Sequence, residues 1–142
     1  MKRILLGSVL LLAIGAGMVG TLTAAAANHI PNGNFEQGFK DWDTRGDWRI
    51  IHHLSPDGNH SAGISGSGSL CAHVPSGTNA VQFQFRLRSG AARVKVGMPA
   101  VALNPGSHWT WQTVRVPSSM KAGKVCFKTA NANFALDNVE IR

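Results

Sequence analysis

"AVQFQFRLR", residues 80–88, alternates without a break. Val81, Phe83, Phe85 and Leu87 fall on one side of an extended chain. Gln82, Gln84, Arg86 and Arg88 fall on the other. A period of two over this length marks a strand with one buried face. The flanking stretches carry the same signal. "DWRIIHHL" (47–54) reads as a strand, and Asp57-Gly58 marks the turn after it. "SAGIS" (61–65) and "SLCAHV" (69–74) read as short strands around the flexible "GSGS" at 66–69.

Downstream, Ser89-Gly90 reads as a turn and "ARVKVGM" (92–98) alternates again. "ALNPGSH" (102–108) reads as a loop. "WTWQTVRVP" (109–117) is a strand with Val114 and Val116 inward, stopped by Pro117. "KVCFKTA" (124–130) and "NFALDNVEIR" (133–142) close the chain. No helical stripe of any length appears. About eight or nine short strands divided by Gly, Pro, Asn and Ser predict an all-β sandwich or barrel.

The first residues belong to a different class. Lys2 and Arg3 precede an apolar run from Ile4 to Val19, and small residues end in Ala24–Ala27. That order predicts a secretory signal peptide over 1–27, leaving a single domain at 28–142. The run is shorter than the roughly 20 residues needed to span a bilayer, and Gly7, Gly15 and Gly17 interrupt it. No second apolar run follows, so no membrane span is expected in the mature chain. The expected location is secreted, periplasmic or extracellular.

The whole chain carries a formal charge of +7, or +5 once Lys2 and Arg3 are removed. Such a balance suits an anionic partner: an acidic polysaccharide, a charged envelope surface or nucleic acid. The basic residues are scattered, however, and no Lys/Arg run forms a tail. A dedicated nucleic-acid patch is not expected. Cys71 and Cys126 are the two cysteines. In an oxidising compartment they are expected to pair, both pointing off the core. The competing reading is a Cys-His site, since His73 lies near Cys71, but no second Cys stands at C-x-x-C spacing.

Three motifs then occur in order: "NGNFEQGFKDW" (32–42), "WQTVRVP" (111–117) and "FALDNVEIR" (134–142). Together they resemble the galactose-binding-like jelly roll of carbohydrate-binding modules, of the type attached to xylanases. The resemblance covers most of residues 30–142. It implies a two-sheet antiparallel sandwich whose first and last strands lie close together. In many such modules a structural calcium sits between them. Glu36 matches the first-strand carboxylate and Asp137 the last-strand one. Two carboxylates with backbone carbonyls from the Asp57–Ser61 turn would suit calcium. The plainer alternative has Glu36 capping a turn and Asp137 bonding local backbone. Asn138 stands where a second Asp is common, which lowers the charge of the site.

The resemblance implies a polysaccharide or glycan partner, held on the outward face of the central strands. The candidates there are Gln82, Gln84, Arg86 and Arg88, whose amides and guanidinium groups can donate to hydroxyls or carboxylates. The plainer reading is a solvated face. Of the four Trp, Trp42 and Trp111 match core positions, while Trp48 and Trp109 are the expected exposed stacking faces. A regular strand at 109–115 would put Trp109, Trp111, Thr113 and Arg115 on one face. His52 and His53 point to opposite faces, which disfavours a histidine metal site.

No catalytic motif is present. The chain has seven acids, and Asp41, Asp43 and Asp47 cluster in one solvated segment. There is no G-x-S-x-G, no H-E-x-x-H and no P-loop. The expected function is therefore non-catalytic glycan binding. The rival is a small exported domain that contacts a protein or cell-envelope partner through the same fold.

Overall fold

The computed structural model describes residues 30–97, 99–118 and 123–142. The expected leader at 1–27 lies outside them. Seven strands are present among the described residues: β1 (Asp43–Arg45), β2 (Arg49–His52), β3 (His60–Val74), β4 (Ala80–Val96), β5 (Val101–Ala102), β6 (Thr110–Arg115) and β7 (Gly123–Ile141). All pair antiparallel, in the order β1-β3-β7-β4-β5, with β2 also on β3 and β6 also on β4.

Three strands are much longer than expected. β3, β4 and β7 each join two of the predicted short strands. Where turns were expected, the ladder shifts register and continues: at Gly66/Gly68 in β3 and between Leu87 and Ala91 in β4. Gly66, Gly90 and Asn131 take positive φ at these places. A bulge residue in that conformation bends a strand without ending it.

The bends fold the three-stranded ribbon onto itself. Phe83 lies opposite the segment of β7 between Asp137 and Glu140. Phe127 is about a dozen residues away along the same strand. On a flat ribbon the two would stand roughly 40 Å apart at ~3.3 Å per residue. Their ring centroids are 4.9 Å apart, edge to face. The sheet is therefore two layers. The first holds β2, β6 and the 60–66, 80–87 and 132–141 parts of the long strands. The second holds β1, β5 and the 68–74, 91–96 and 123–129 parts. Ile64, Leu70, Val81, Phe83, Phe85, Val94, Val125, Phe127, Phe134 and Leu136 fill the space between.

Residues 30–42 do not form a first strand. They form consecutive turns, with Gly33, Phe35, Gly38, Lys40 and Trp42 each donating to the carbonyl three residues back. Asn32 organises them: its side-chain amide donates to the Gly38 and Lys40 carbonyls and its oxygen accepts from Gln37 N. Asn32-Gly33 is thus a turn, as this dipeptide favours, and not part of a strand. The implied closeness of the two ends holds. Val139 N donates to the Gly33 carbonyl at 2.9 Å. Phe35 and Trp42 pack beneath, with Trp42 buried as expected.

Cys71 and Cys126 are direct register partners and form a disulfide, with Cα atoms 4.2 Å apart. The bridge crosses the outer face of the second layer, off the core. Its sequence separation of 55 corresponds to about 4 kcal/mol of stabilisation in the chain-entropy account.

Candidate functional site

The outer face of the first layer carries the candidate binding surface. One cross-strand row runs Arg49–Gly63–Ala135–Arg86, each residue the register partner of the next. Two long cations thus flank a floor of two of the smallest side chains. The hollow above that floor measures about 270 Å³, with Asp47, Ile51, Ser65 and Asn133 also lining it. Glycine at 63 is needed for this shape, because a Cβ there would run into the Ile51 side chain.

The adjacent row continues the face. Gln84 pairs with Trp111, and Gln82 with Thr113. Gln84, Gln82 and Arg86 all point outward, as their parity predicts, and Arg88 is exposed beyond them. The two glutamines are partly committed. The Gln84 side-chain oxygen accepts from Asn138 Nδ2 at 2.7 Å. The Gln82 oxygen accepts from Arg142 Nε at 2.7 Å. Their amide N–H groups remain as the donors toward a ligand.

Two of the four tryptophans sort differently from expectation. Trp48 is only 8% exposed. Its indole N–H donates to the Arg45 carbonyl at 3.1 Å, and its ring meets Phe134 edge-on. Trp48 closes the core beside the β3 bend and offers no stacking face. Trp111, expected in the core, is 46% exposed. The reason is parity: on β6, Val114 takes the inward side, which turns Trp111 out. Trp109 is half-buried just before β6, and the Arg86 guanidinium lies over it. Burial lowers the Arg86 pKa, with the nearby Arg88 charge adding to it.

Of the predicted calcium residues, Asp137 is the register partner of Gln84, two residues along β7 from the floor residue Ala135, and Glu36 lies in the turns at 30–42. Asp137 is fully buried, and its Oδ2 has no hydrogen-bond partner. Burial pushes its pKa up to about 7; the Asn138 backbone N–H opposes this, and the Asp57 and Glu36 charges add to it. An orphaned, buried carboxylate oxygen is what a hard cation would satisfy. Glu36 faces the same region but is turned onto His60, accepting from its backbone N at 3.0 Å and pairing with its Nδ1 at 2.8 Å. Among the described residues, no three His, Cys, Asp or Glu side chains gather at metal-binding range. The donor set that fits is Asp137 with backbone carbonyls, and Glu36 if it turns from His60.

No protein-family model matches this sequence, nor does any curated protein. Solved structures do match. A family 61 carbohydrate-binding module in complex with β-1,4-galactotriose superposes with a TM-score of 0.61 at 20% identity, over 81% of this chain and 97% of that one. A family 16 carbohydrate-binding module gives 0.60 at 15% identity, over 81% and 99%. The K2 cleaved adhesin domain of Lys-gingipain gives 0.55 at 15% identity, over 72% and 90%. The fold is the jelly roll of carbohydrate-binding modules. At these identities the match extends to backbone architecture and not to side chains of a site.

Sequence reasoning missed Arg49, Ile51, Gly63 and Ala135. Small and aliphatic residues carry no chemical signal. Only the cross-strand register shows that they share a floor.

Proposed function

We propose that this chain is an exported, non-catalytic module that binds a glycan on the outer face of the first layer. The observation that carries it is the groove itself. A small-residue floor lies between Arg49 and Arg86, next to an exposed Trp111 on the same sheet face. Trp111 supplies an aromatic plane for a sugar ring. Gln82, Gln84 and Arg86 supply donors for hydroxyls. The shared fold supports the reading, because similar structures include modules in complex with oligosaccharides.

The same groove argues against hydrolysis. Glycoside cleavage needs two carboxyls flanking the bond. Among the described residues, Asp47 is the only acid that lines the hollow, and it pairs with Arg49 at 3.2 Å. Export is supported by the leader-like first residues and by the disulfide. Among the described residues, no helix is long and apolar enough to cross a membrane. Structural calcium, held by Asp137 and Glu36, belongs to this reading. It would satisfy the buried Asp137 oxygen and tie the last strand to the first turns.

The test is binding of the purified protein to a panel of soluble and insoluble neutral polysaccharides, β-1,4-galactan among them, with calcium and with chelator. Saturable binding that Gln84→Ala with Arg86→Ala abolishes, with folding intact, supports the module. The rival is a protein- or envelope-contacting domain, favoured by the adhesin domain of the same fold. No saturable binding across the panel, with a protein partner recovered by that double variant as well as by wild type, would establish the rival instead.

A further inference from the structure

The opposite side of the sandwich gathers the scattered basic residues. On the outer face of the second layer, Arg45 pairs with Ser69, Ser69 with Lys128, and Lys128 with Arg93. Three cations therefore stand in one row across four strands, over roughly 14 Å at ~4.8 Å per strand spacing. Lys95 stands opposite Cys126 and Lys124 opposite His73, so both extend the same face. Among the described residues, the carboxylate that pairs with one of these cations is Asp43, with Lys124 at 3.4 Å. Among the described residues, no acid lies within ion-pair distance of Arg45, Arg93, Lys95 or Lys128.

The face also has shape. Ala91 and Ala130 are register partners, next to the Arg93–Lys128 pair. They floor a hollow of about 240 Å³ with the two cations at its side. The Cys71–Cys126 bridge lies in the neighbouring row and ties β3 to β7, the strand that carries Lys124 and Lys128. Cations held on a bridged sheet lose less freedom on binding than cations on loops.

The geometry points to a second binding surface, for a linear polysaccharide bearing carboxylates or sulfates, distinct from the glycan groove. One acidic group sits in the Ala91–Ala130 hollow between the Arg93 fork and the Lys128 ammonium. The polymer then crosses the strands along the row to Arg45. A single small anion would use one hollow; the row suits a chain with repeated charge. A bilayer fits less well. Among the described residues, the exposed large apolar side chains are Leu54 and Trp111, and neither lies on these strands. Nucleic acid fits less well, since among the described residues the row from Arg45 to Arg93 carries no aromatic for base stacking and His73, opposite Lys124, is the one imidazole on the face.

The experiment measures affinity of the full protein for polygalacturonate and heparin, at low and at high salt, beside β-1,4-galactan as a neutral polymer. Phosphatidylserine vesicles and single-stranded DNA serve as the other anionic surfaces. Wild type should bind an acidic polysaccharide with an affinity that falls as salt rises. Arg93→Gln with Lys128→Gln should weaken it by about tenfold, with the thermal midpoint and any galactan binding unchanged. Lys40→Gln, which removes one charge elsewhere, should stay within about twofold, whereas Lys128→Gln alone should exceed that. An equal loss in Lys40→Gln and Lys128→Gln would reduce the effect to net charge and overturn the site. So would unchanged affinity in the double variant, or binding confined to vesicles or DNA.

Discussion

The Arg86 guanidinium carbon lies 5.4 Å from the centroid of the Trp109 ring. The cation fills one face of that indole, and the contact steadies both side chains at the rim of the groove. The open aromatic plane is therefore Trp111. Trp111→Ala should weaken glycan binding at least about tenfold, with little change in stability. Trp48→Ala should do the reverse in kind, lowering stability by about 3–5 kcal/mol through a core cavity. Calorimetric titration beside chemical unfolding checks both. A Trp111→Ala protein that binds as wild type would move the site off this face.

Gly63 tests the floor. An alanine Cβ there collides with the terminal methyl and Cγ1 of Ile51, which is the flexible end of a side chain. The side chain should swing over the hollow without unfolding the sheet. Gly63→Ala should therefore lower glycan affinity several-fold at a stability cost of about 1 kcal/mol. Gly58→Ala is a poor substitute control, because Gly58 has positive φ and would add backbone strain. Unchanged affinity in Gly63→Ala would mean that the ligand does not rest on Ala135 and Gly63.

Much of the first layer was legible in the sequence, because parity is local. The alternation of Val81 to Leu87 alone places Gln82, Gln84 and Arg86 outward. The bends were not legible. Gly66, Ser89-Gly90 and Asn131 look like hairpin turns, and their local conformation is that of turn residues. Whether such a residue reverses the chain or bulges it depends on the neighbouring strand, which continues to pair past each bend. Trp48 and Trp111 exchanged roles for a related reason. Trp48 lies between β1 and β2, outside either strand, where parity has no meaning, and Gly68 on β3 approaches its indole closely. The basic face escaped notice because Arg45, Arg93, Lys95, Lys124 and Lys128 come from three strands far apart in sequence. Only the folded ribbon makes them neighbours.

The disulfide gives a third prediction. It joins β3 to β7, the pair on which β1 and β2 also depend. Replacing Cys71 and Cys126 together by Ser should lower unfolding stability by up to about 4 kcal/mol. Reductant should do the same to wild type and nothing further to the double variant. A wild-type midpoint insensitive to reductant would contradict a bridge in the folded protein.

Asp137 gives the fourth. Its carboxyl has an ordinary value of 3.8 and titrates near 7 in the folded chain, chiefly because it is buried. A folded-state pKa raised in this way favours folding while the group stays protonated. That contribution is complete below about pH 3.8 and is lost as pH rises through 7. In chelator, wild type should lose stability between pH 5 and pH 8, on the order of 2–4 kcal/mol from this group. Asp137→Asn should flatten that part of the profile and be the more stable protein at pH 8. Calcium would reverse the trend, because it stabilises the ionised carboxylate that burial penalises. Added calcium should therefore raise the wild-type midpoint more at pH 8 than at pH 5, and leave Asp137→Asn unmoved. Glu36→Gln separates the two roles of its partner: it should reduce the calcium response while leaving the chelated pH profile near that of wild type. Parallel pH profiles for wild type and Asp137→Asn in chelator would show that this carboxyl is not the group that titrates. An equal calcium response in both proteins would place the ion elsewhere.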